Sequence, residues 1–209
     1  MCSIEPYILG ILWSIGRYTV DDYDYFLLRH KDRRFLDVVK ASLAVPSEVF
    51  LGSSRTGPQY RLKIHHFDMD TLERLGWQPR LSEQRDYPSI AEHQDFIRAY
   101  VEIHSTIDTN TIRKRNGPPY TQPRLRIYGN KHFLSELSEV LSTQANIGIK
   151  KVPKTTDIAE SSGVLYYQSW AELEILLTYL YLPGTKYFNR KYYDDFREVL
   201  SVTRRTIDE

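Results

Sequence analysis

The chain has 209 residues, of which 41% are hydrophobic and 26% charged, and its formal net charge is +1. These values favour one domain or two fused halves with a substantial core, and they exclude a global basic excess as the basis of nucleic-acid binding. The single cysteine, Cys2, excludes a disulfide framework and a cysteine-based zinc site. The N-terminal apolar run is too short to cross a membrane, so we expect neither a membrane segment nor a signal peptide, and a cytoplasmic protein.

In the first half, helices alternate with pairs of strands. Pro6 suits the first turn of a helix, and the apolar residues that follow at helical spacing predict a helix that Gly16 ends. The segment YRLKIHH alternates, with Leu62 and Ile64 on one side and basic residues on the other, which is typical of a half-buried strand. The remaining predictions are two strands within 17–31, a helix over 32–44, a hairpin of strands 48–55 and 59–66, and a helix over about 68–76.

The second half repeats this order. Residues 77–90 show little periodicity, so we expect a linker over 81–90 between a first repeat, 1–80, and a second repeat with C-terminal helices, 91–209. The segment PRLRIYG alternates in the same way as YRLKIHH. We predict helices over 91–103, 131–143, 169–182 and 189–203, and strands over 106–114, 123–129, 147–154 and 163–168.

Small residues recur at matching places in the first helix of each half. Gly10 and Ala99 lie near the middle of these helices, and Gly16 and Ser105 lie at their ends. Small residues allow two helices to approach closely. We therefore predict that these four residues form the interface between the two repeats.

This order of elements, carried by PYILGILWSIGR and DFIRAYVEIHST, resembles the LAGLIDADG homing endonuclease family in its single-chain, two-repeat form. The segments PRLRIYGNKHFLSELSEVL and YYQSWAELEILLTYLY also look like the family. The resemblance implies an α+β fold of two pseudo-symmetric αββαββα halves, whose antiparallel sheets form a DNA-binding saddle. It implies a monomer, because one chain holds both halves.

The two motifs depart from the family where its nucleases carry acids. Family nucleases place one acidic residue at the end of each motif helix, where two carboxylates share divalent metals. Those positions are Ile15 and His104 in this chain, and the earlier acidic positions are Trp13 and Glu102. Since one carboxylate does not make a symmetric metal site, we expect no catalytic residues, no metal or other cofactor, no strand cleavage and hence no enzyme.

The resemblance also implies which residues contact DNA. Strand residues opposite the core carry base readout and phosphate contacts in such a fold. A chain with almost no net charge can still have a basic face if its acidic residues lie elsewhere. Most acidic residues of this chain fall on predicted helices. The predicted DNA-binding residues are Arg17, Arg29, Lys31, Arg61, Lys63, His65, Arg113, Lys114, Arg115, Arg124, Arg126, Lys150 and Lys151.

The sequence therefore favours an inactive homing-endonuclease-like protein that binds double-stranded DNA specifically, as a nucleoid-associated regulator of transcription or of a mobile element. Alternating basic and aliphatic residues are equally typical of any solvent-facing strand. Three alternatives stay open. They are an active or nicking endonuclease that uses displaced acids such as Asp21, Asp22 or Glu102, an RNA-binding splicing factor like the family's maturases, and a protein-interaction module.

Overall fold

The computed structural model describes residues 4–20, 24–55, 57–79, 82, 85–113, 119–153 and 161–208. The chain falls into two compact units, one of residues 1–79 with 88–100 and one of residues 80–87 with 101–209. The predicted linker, residues 81–90, is thus divided between the units. The described part of the chain forms seven helices and seven strands in two antiparallel sheets, which confirms the predicted α+β class.

The first unit follows the order αββαββα, as predicted. Its sheet has the strand order β1-β2-β4-β3. The elements are α1 (Pro6–Ile15), β1 (Gly16–Val20), β2 (Asp24–His30), α2 (Arg33–Ser42), β3 (Phe50–Gly52), β4 (Gln59–His65) and α3 (Met69–Arg74), and the unit also includes the first residues of α4 (His93–His104).

Local side-chain chemistry begins these helices where the sequence predicts. Pro6 is the first residue of α1, where a missing backbone N–H costs nothing. The carboxylate of Asp32 accepts a hydrogen bond from the backbone N–H of Arg34, and that of Asp68 accepts one from Thr71. Each cap satisfies an N–H that has no partner within its helix.

Helix α1 packs against the start of α4 within this unit. A Cβ added to Gly10 would lie 2.6 Å from the carbonyl oxygen of Phe96 and 2.7 Å from the Cβ of Ala99. The ring of Trp13 meets that of Phe96 edge-on at 5.9 Å, and both side chains are fully buried. The absence of a side chain at Gly10 therefore permits the close approach of the two helices.

The second unit contains the rest of α4 and a sheet of order β5-β6-β7. Its core is built from the inward residues of the sheet and the apolar faces of the helices, among them Leu125, Ile127, Phe133, Leu165 and Leu176. The elements are β5 (Ser105–Ile112), β6 (Tyr120–Asn130), α5 (Lys131–Ala145), β7 (Ser162–Tyr167), α6 (Trp170–Leu180) and α7 (Arg190–Asp208).

One predicted strand of this unit, 147–154, is wrong. Its described residues, 147–153, have no regular secondary structure, so the second half departs from αββαββα. Side chains take the place of a strand partner here. The N–H of Gly148 donates to the Glu172 carboxylate at 3.1 Å, and that of Lys150 donates to the Ser138 hydroxyl at 2.8 Å. No helix in the described part of the chain combines the length and the apolar character that a membrane span requires.

Candidate nucleic-acid interface

The sheet of the first unit separates a core face from a basic face. Directly paired residues of an antiparallel sheet share a face, and so do alternate residues of one strand. Phe26 pairs with Ile64 and Leu28 with Leu62, and all four are buried. The opposite face carries, by the same register, five of the predicted residues: Arg17, Arg29, Arg61, Lys63 and His65.

No aspartate or glutamate occupies this opposite face at any described strand position. Arg29 pairs directly with Arg61 across the β2–β4 ladder. Burial, followed by the like charges of Arg61 and Arg17, lowers the pKa of Arg29. A guanidinium remains charged under such a shift, so three like charges are held close together. This is the arrangement that a polyanion would stabilise.

Two further contacts fix side chains on this basic face. The ammonium of Lys63 lies 4.6 Å from the centre of the Tyr25 ring, a cation–π geometry. A terminal nitrogen of Arg61 donates to the carbonyl oxygen of Ser53. Both contacts restrain long side chains that would otherwise lose conformational entropy on binding a ligand.

The solvent face of the second sheet carries a cluster of two arginines around one acid. Asp108 of β5 pairs directly with Arg124 of β6. Two bonds join their side chains, from Arg124 Nε to Oδ1 at 2.9 Å and from Arg124 Nη2 to Oδ2 at 3.0 Å. Arg126 Nη2 donates to the same Oδ2 at 2.6 Å. One carboxylate therefore orients two guanidiniums and leaves the cluster with a net positive charge.

Sequence reasoning missed Asp108. The hydrogen bonds from Arg124, with the charges of Arg124 and Arg126, outweigh burial and lower the pKa of Asp108. The carboxylate consequently stays ionised through the neutral pH range. The signal in the sequence was the alternation of Thr106, Asp108 and Asn110 in β5, which marks a polar face. It was insufficient because only the strand register puts Asp108 opposite an arginine.

The other predicted residues that the structure describes lie outside the strands of the two sheets. Lys31 is exposed in the bend after β2, and Arg113 is exposed just beyond β5. Lys150 forms an ion pair with Glu172 at 2.7 Å and lies 5.5 Å from the ring of Tyr167, which is on the core face of its sheet. Three residues remain: Lys151 is exposed in an irregular segment, and Lys114 and Arg115 lie outside the described residues.

The motif-end residues do not assemble a pair of carboxylates. Ile15 and His104 are the last residues of α1 and α4 and are half-buried, and isoleucine offers no metal ligand. Glu102 is 7% exposed, and its Oε1 accepts hydrogen bonds from Tyr181 Oη at 3.0 Å and from the backbone N–H of Asn189 at 2.9 Å. The carboxylate pair that the family carries is therefore not present at Ile15 and His104.

The end residues of the two motif helices have local contacts in the described structure. A Cβ on Gly16 would collide with the ring of Phe26, its neighbour within the same unit. The hydroxyl of Ser105 is hydrogen-bonded to that of Tyr192. Of the four predicted interface residues, Gly10 and Ala99 are the two that these contacts bring together.

Replacing Glu102 tests its part in holding the segment after α6. Glu102→Ala will cost about 2 kcal/mol of unfolding free energy, because a part-buried hydroxyl and a backbone N–H lose their acceptor. Glu102→Gln will cost less than half of that, since its amide oxygen can still accept both bonds. Chemical denaturation of the three proteins measures the difference, and equal losses in both variants would contradict this role.

Comparison with solved structures identifies the fold. No family model and no curated protein matches the chain. The LAGLIDADG homing endonuclease I-LtrWI, solved bound to target DNA, is similar over 96% of this chain and 90% of its own, with a TM-score of 0.67 and 13% identity. This chain has the LAGLIDADG homing endonuclease fold. The meganuclease I-SmaMI, bound to uncleaveable DNA, gives a TM-score of 0.66 at 11% identity, covering 98% of this chain and 91% of that one.

A third LAGLIDADG meganuclease, I-AabMI bound to uncleaved DNA, gives a TM-score of 0.62 at 12% identity, over 98% of this chain and 92% of its own. The resemblance inferred from the two motif helices is thus confirmed at the level of the fold. The prediction that the chain is not an enzyme was wrong, because the solved proteins with this LAGLIDADG fold are endonucleases. The substitutions at Ile15 and His104 show only that the usual carboxylate pair is missing.

Proposed function

We propose that this protein binds double-stranded DNA sequence-specifically through the solvent faces of its two sheets. The observation that supports this most is the basic face of the first sheet, where the register gathers five cationic or titratable side chains without an acid among the described strand positions. Lysines and arginines at this density bind phosphates and displace counterions. The LAGLIDADG fold supports the same conclusion, since I-LtrWI was solved with its target DNA.

The Arg124–Asp108–Arg126 cluster is the candidate for base readout. An arginine presents its guanidinium to the O6 and N7 atoms of guanine in a bidentate geometry. Asp108 holds the side chain of Arg124 by two hydrogen bonds and so leaves its other N–H groups to face a ligand. Affinity would then come mainly from the first sheet and discrimination from the second. A single chain holds both sheets, which favours a monomer.

Competition between nucleic acids tests this function against the splicing-factor alternative. A labelled duplex is bound by the full chain and then displaced by unlabelled duplex DNA or by structured RNA. We expect duplex DNA to displace the label at a concentration at least about tenfold lower, because the deep, narrow major groove of A-form RNA does not admit a sheet face. Stronger displacement by RNA would contradict the proposal in favour of the maturase-like function.

The variant Asp108→Asn separates the effect of orienting Arg124 and Arg126 from the effect of the net charge of this face. Removing the carboxylate adds one positive charge to the face and releases two guanidiniums, so binding to random-sequence duplex will strengthen. Preference for a selected site will fall about fivefold or more, which is the lower end of the discrimination expected from one bidentate contact. Asp37→Asn, an exposed acid of α2 that pairs with Arg33, makes the same charge change elsewhere. Equal effects of the two variants on specificity would contradict the role of Asp108.

Cleavage of the bound DNA is the second candidate function, and the comparisons favour it because the similar structures are endonucleases. The test is incubation of plasmid carrying the selected site with Mg²⁺ or Mn²⁺. Site-specific nicks that disappear in His104→Ala would assign that residue a part in the reaction. Nicks that persist would direct attention to Asp21 and Asp22, which lie outside the described residues. Intact plasmid at saturating protein would contradict this second function.

The predicted cellular role is regulation of transcription or of a mobile element. It follows from specific DNA binding and from the nucleoid location that such binding gives. Sequences recovered by selection would test it, because a regulator's sites fall in promoter regions or beside the mobile element. Recovery of sites without either context would contradict it.

A further inference from the structure

Three potential metal ligands, none of them on a strand, meet on the second unit. Asp86 comes from the segment before α4, and His132 and Glu136 lie one turn apart on α5. His132 Nε2 is 3.0 Å from Asp86 Oδ1 and 3.7 Å from Glu136 Oε1. All three ligand atoms lie within 4.8 Å of one another. For comparison, ligand atoms around a tetrahedral zinc ion are separated by about 3.4 Å, as bond lengths of about 2.1 Å require.

Independent contacts fix the backbone of His132 and the carboxylate of Glu136. The side chain of Asn130 accepts hydrogen bonds from the backbone N–H groups of His132 and Phe133, which fixes the first turn of α5. Glu136 Oε2 accepts a bond from the backbone N–H of Tyr87 at 2.6 Å. This leaves Oε1, the other oxygen of Glu136, as the one nearest to His132. The outer contact therefore orients the carboxylate in the way that second-shell groups do at metal sites.

The segment that carries Asp86 is itself attached to α5 on both sides. The carbonyl oxygen of Ser82 accepts a hydrogen bond from Asn130 Nδ2 at 2.6 Å. On the other side, the ring of Tyr87 stacks on that of Phe133 at 5.7 Å with an interplanar angle of 24°. Ser82 and Tyr87, on either side of Asp86 in the sequence, are thus both anchored to the start of α5.

We propose that Asp86, His132 and Glu136 bind a divalent transition-metal ion such as Zn²⁺. One imidazole and two carboxylates suit zinc, whereas magnesium and calcium prefer sites made of oxygen alone. The side chains of Asp86 and His132 are 56% and 54% exposed, so water can enter and complete the coordination shell. The ion would replace the direct contact between His132 and Asp86, and it would clamp Asp86 onto α5.

Titration of the full chain with Co²⁺, without DNA, tests this site apart from the proposed function. Co²⁺ substitutes for Zn²⁺ and gives visible absorption when its coordination is tetrahedral. We expect one equivalent to bind with that absorption, and Zn²⁺ to displace it and raise the melting temperature. Binding should be lost in His132→Ala and weakened at least about tenfold in Asp86→Asn.

Two variants control for other ligands. His66→Asn removes an exposed imidazole of the first unit at a position of positive φ that asparagine tolerates. Glu139→Gln removes an exposed carboxylate elsewhere on α5. Both should bind Co²⁺ as the parent chain does. Equal binding by His132→Ala, or no stoichiometric binding by the parent chain, would overturn the proposal and leave the cluster as an ion pair.

Discussion

Replacing Arg17 and Arg29 by glutamine will weaken binding to duplex DNA about 10- to 100-fold at moderate salt, and will do so for every sequence alike. Both residues lie on the basic face of the first sheet, where burial and the like charges of Arg61 and Arg17 lower the pKa of Arg29. Both side chains are exposed, so the fold should survive. If each contacts one phosphate, the slope of log K against log salt will fall by about 1.8 in magnitude.

The matched control is Arg33→Gln with Lys191→Gln. These exposed residues form ion pairs within α2 and α7, with Asp37 and Asp195 respectively, and lie off the two sheets. The control also removes two positive charges from the chain. It should change the affinity for DNA less than about threefold, because exposed charges that contact no phosphate act only through screened long-range attraction. Equal losses in the two double variants would contradict the assignment of a specific face.

Gly10→Ala will lower the free energy of unfolding by about 1–3 kcal/mol, although alanine favours helix formation by about 1 kcal/mol over glycine. The added Cβ would lie 2.6 Å from the carbonyl oxygen of Phe96 and 2.7 Å from the Cβ of Ala99. Backbone cannot rotate away from such a contact as a side chain can, so α1 or α4 must shift. Chemical denaturation measures the loss.

A size swap gives the control for this packing. The double variant Gly10→Ala with Ala99→Gly keeps the summed helix propensity constant and removes the contact between the two Cβ atoms. The double variant should regain part of the unfolding free energy that Gly10→Ala loses. The remaining loss would come from the contact of the new Cβ with the carbonyl oxygen of Phe96. Strict additivity of the two single substitutions would show that residues 10 and 99 do not interact. That result would contradict the close packing of α1 on α4.

Features set by neighbouring residues could be predicted from the sequence. Asn130 and Ser169 act as helix caps, and each accepts a hydrogen bond from a backbone N–H two or three residues ahead, an interaction that needs no tertiary information. The alternation in YRLKIHH and PRLRIYG predicted which residues share a face, because a strand has a period of two. This period predicts that Leu62 and Leu125 are buried and that Arg61 and Arg124 face outward, as the structure shows.

Features set by distant residues could not be predicted. The segment 147–153 alternates enough to suggest a strand, but Ser138 and Glu172 satisfy its backbone N–H groups from other elements. The ammonium of Lys150 also donates to the carboxylate of Glu172, which comes from another element. Arg98 lies within the motif segment DFIRAYVEIHST, where a charged residue favours an exposed position, yet it is fully buried and pairs with Asp95 at 2.7 Å. Each of these outcomes depends on which elements meet.

The candidate site shows the same limit. The basic residues of the first sheet could be assigned to a face from their own strands. The acid between Arg124 and Arg126 could not, because it comes from another strand whose register the sequence does not state. The motif residues also could not predict whether the chain is an enzyme, since the loss of one carboxylate pair does not exclude a reaction that uses other groups.

DNA recognition by the two sheet faces can be tested by binding the purified chain to duplex DNA across a range of salt concentrations and selecting the bound sequences from a random pool. We expect a slope of log K against log salt steeper than about −3, because the two sheet faces offer several cations to phosphates. We also expect an enriched motif that weakens in Asp108→Asn. No binding at low salt, or binding that salt does not affect, would contradict DNA recognition by these faces and would favour a protein partner.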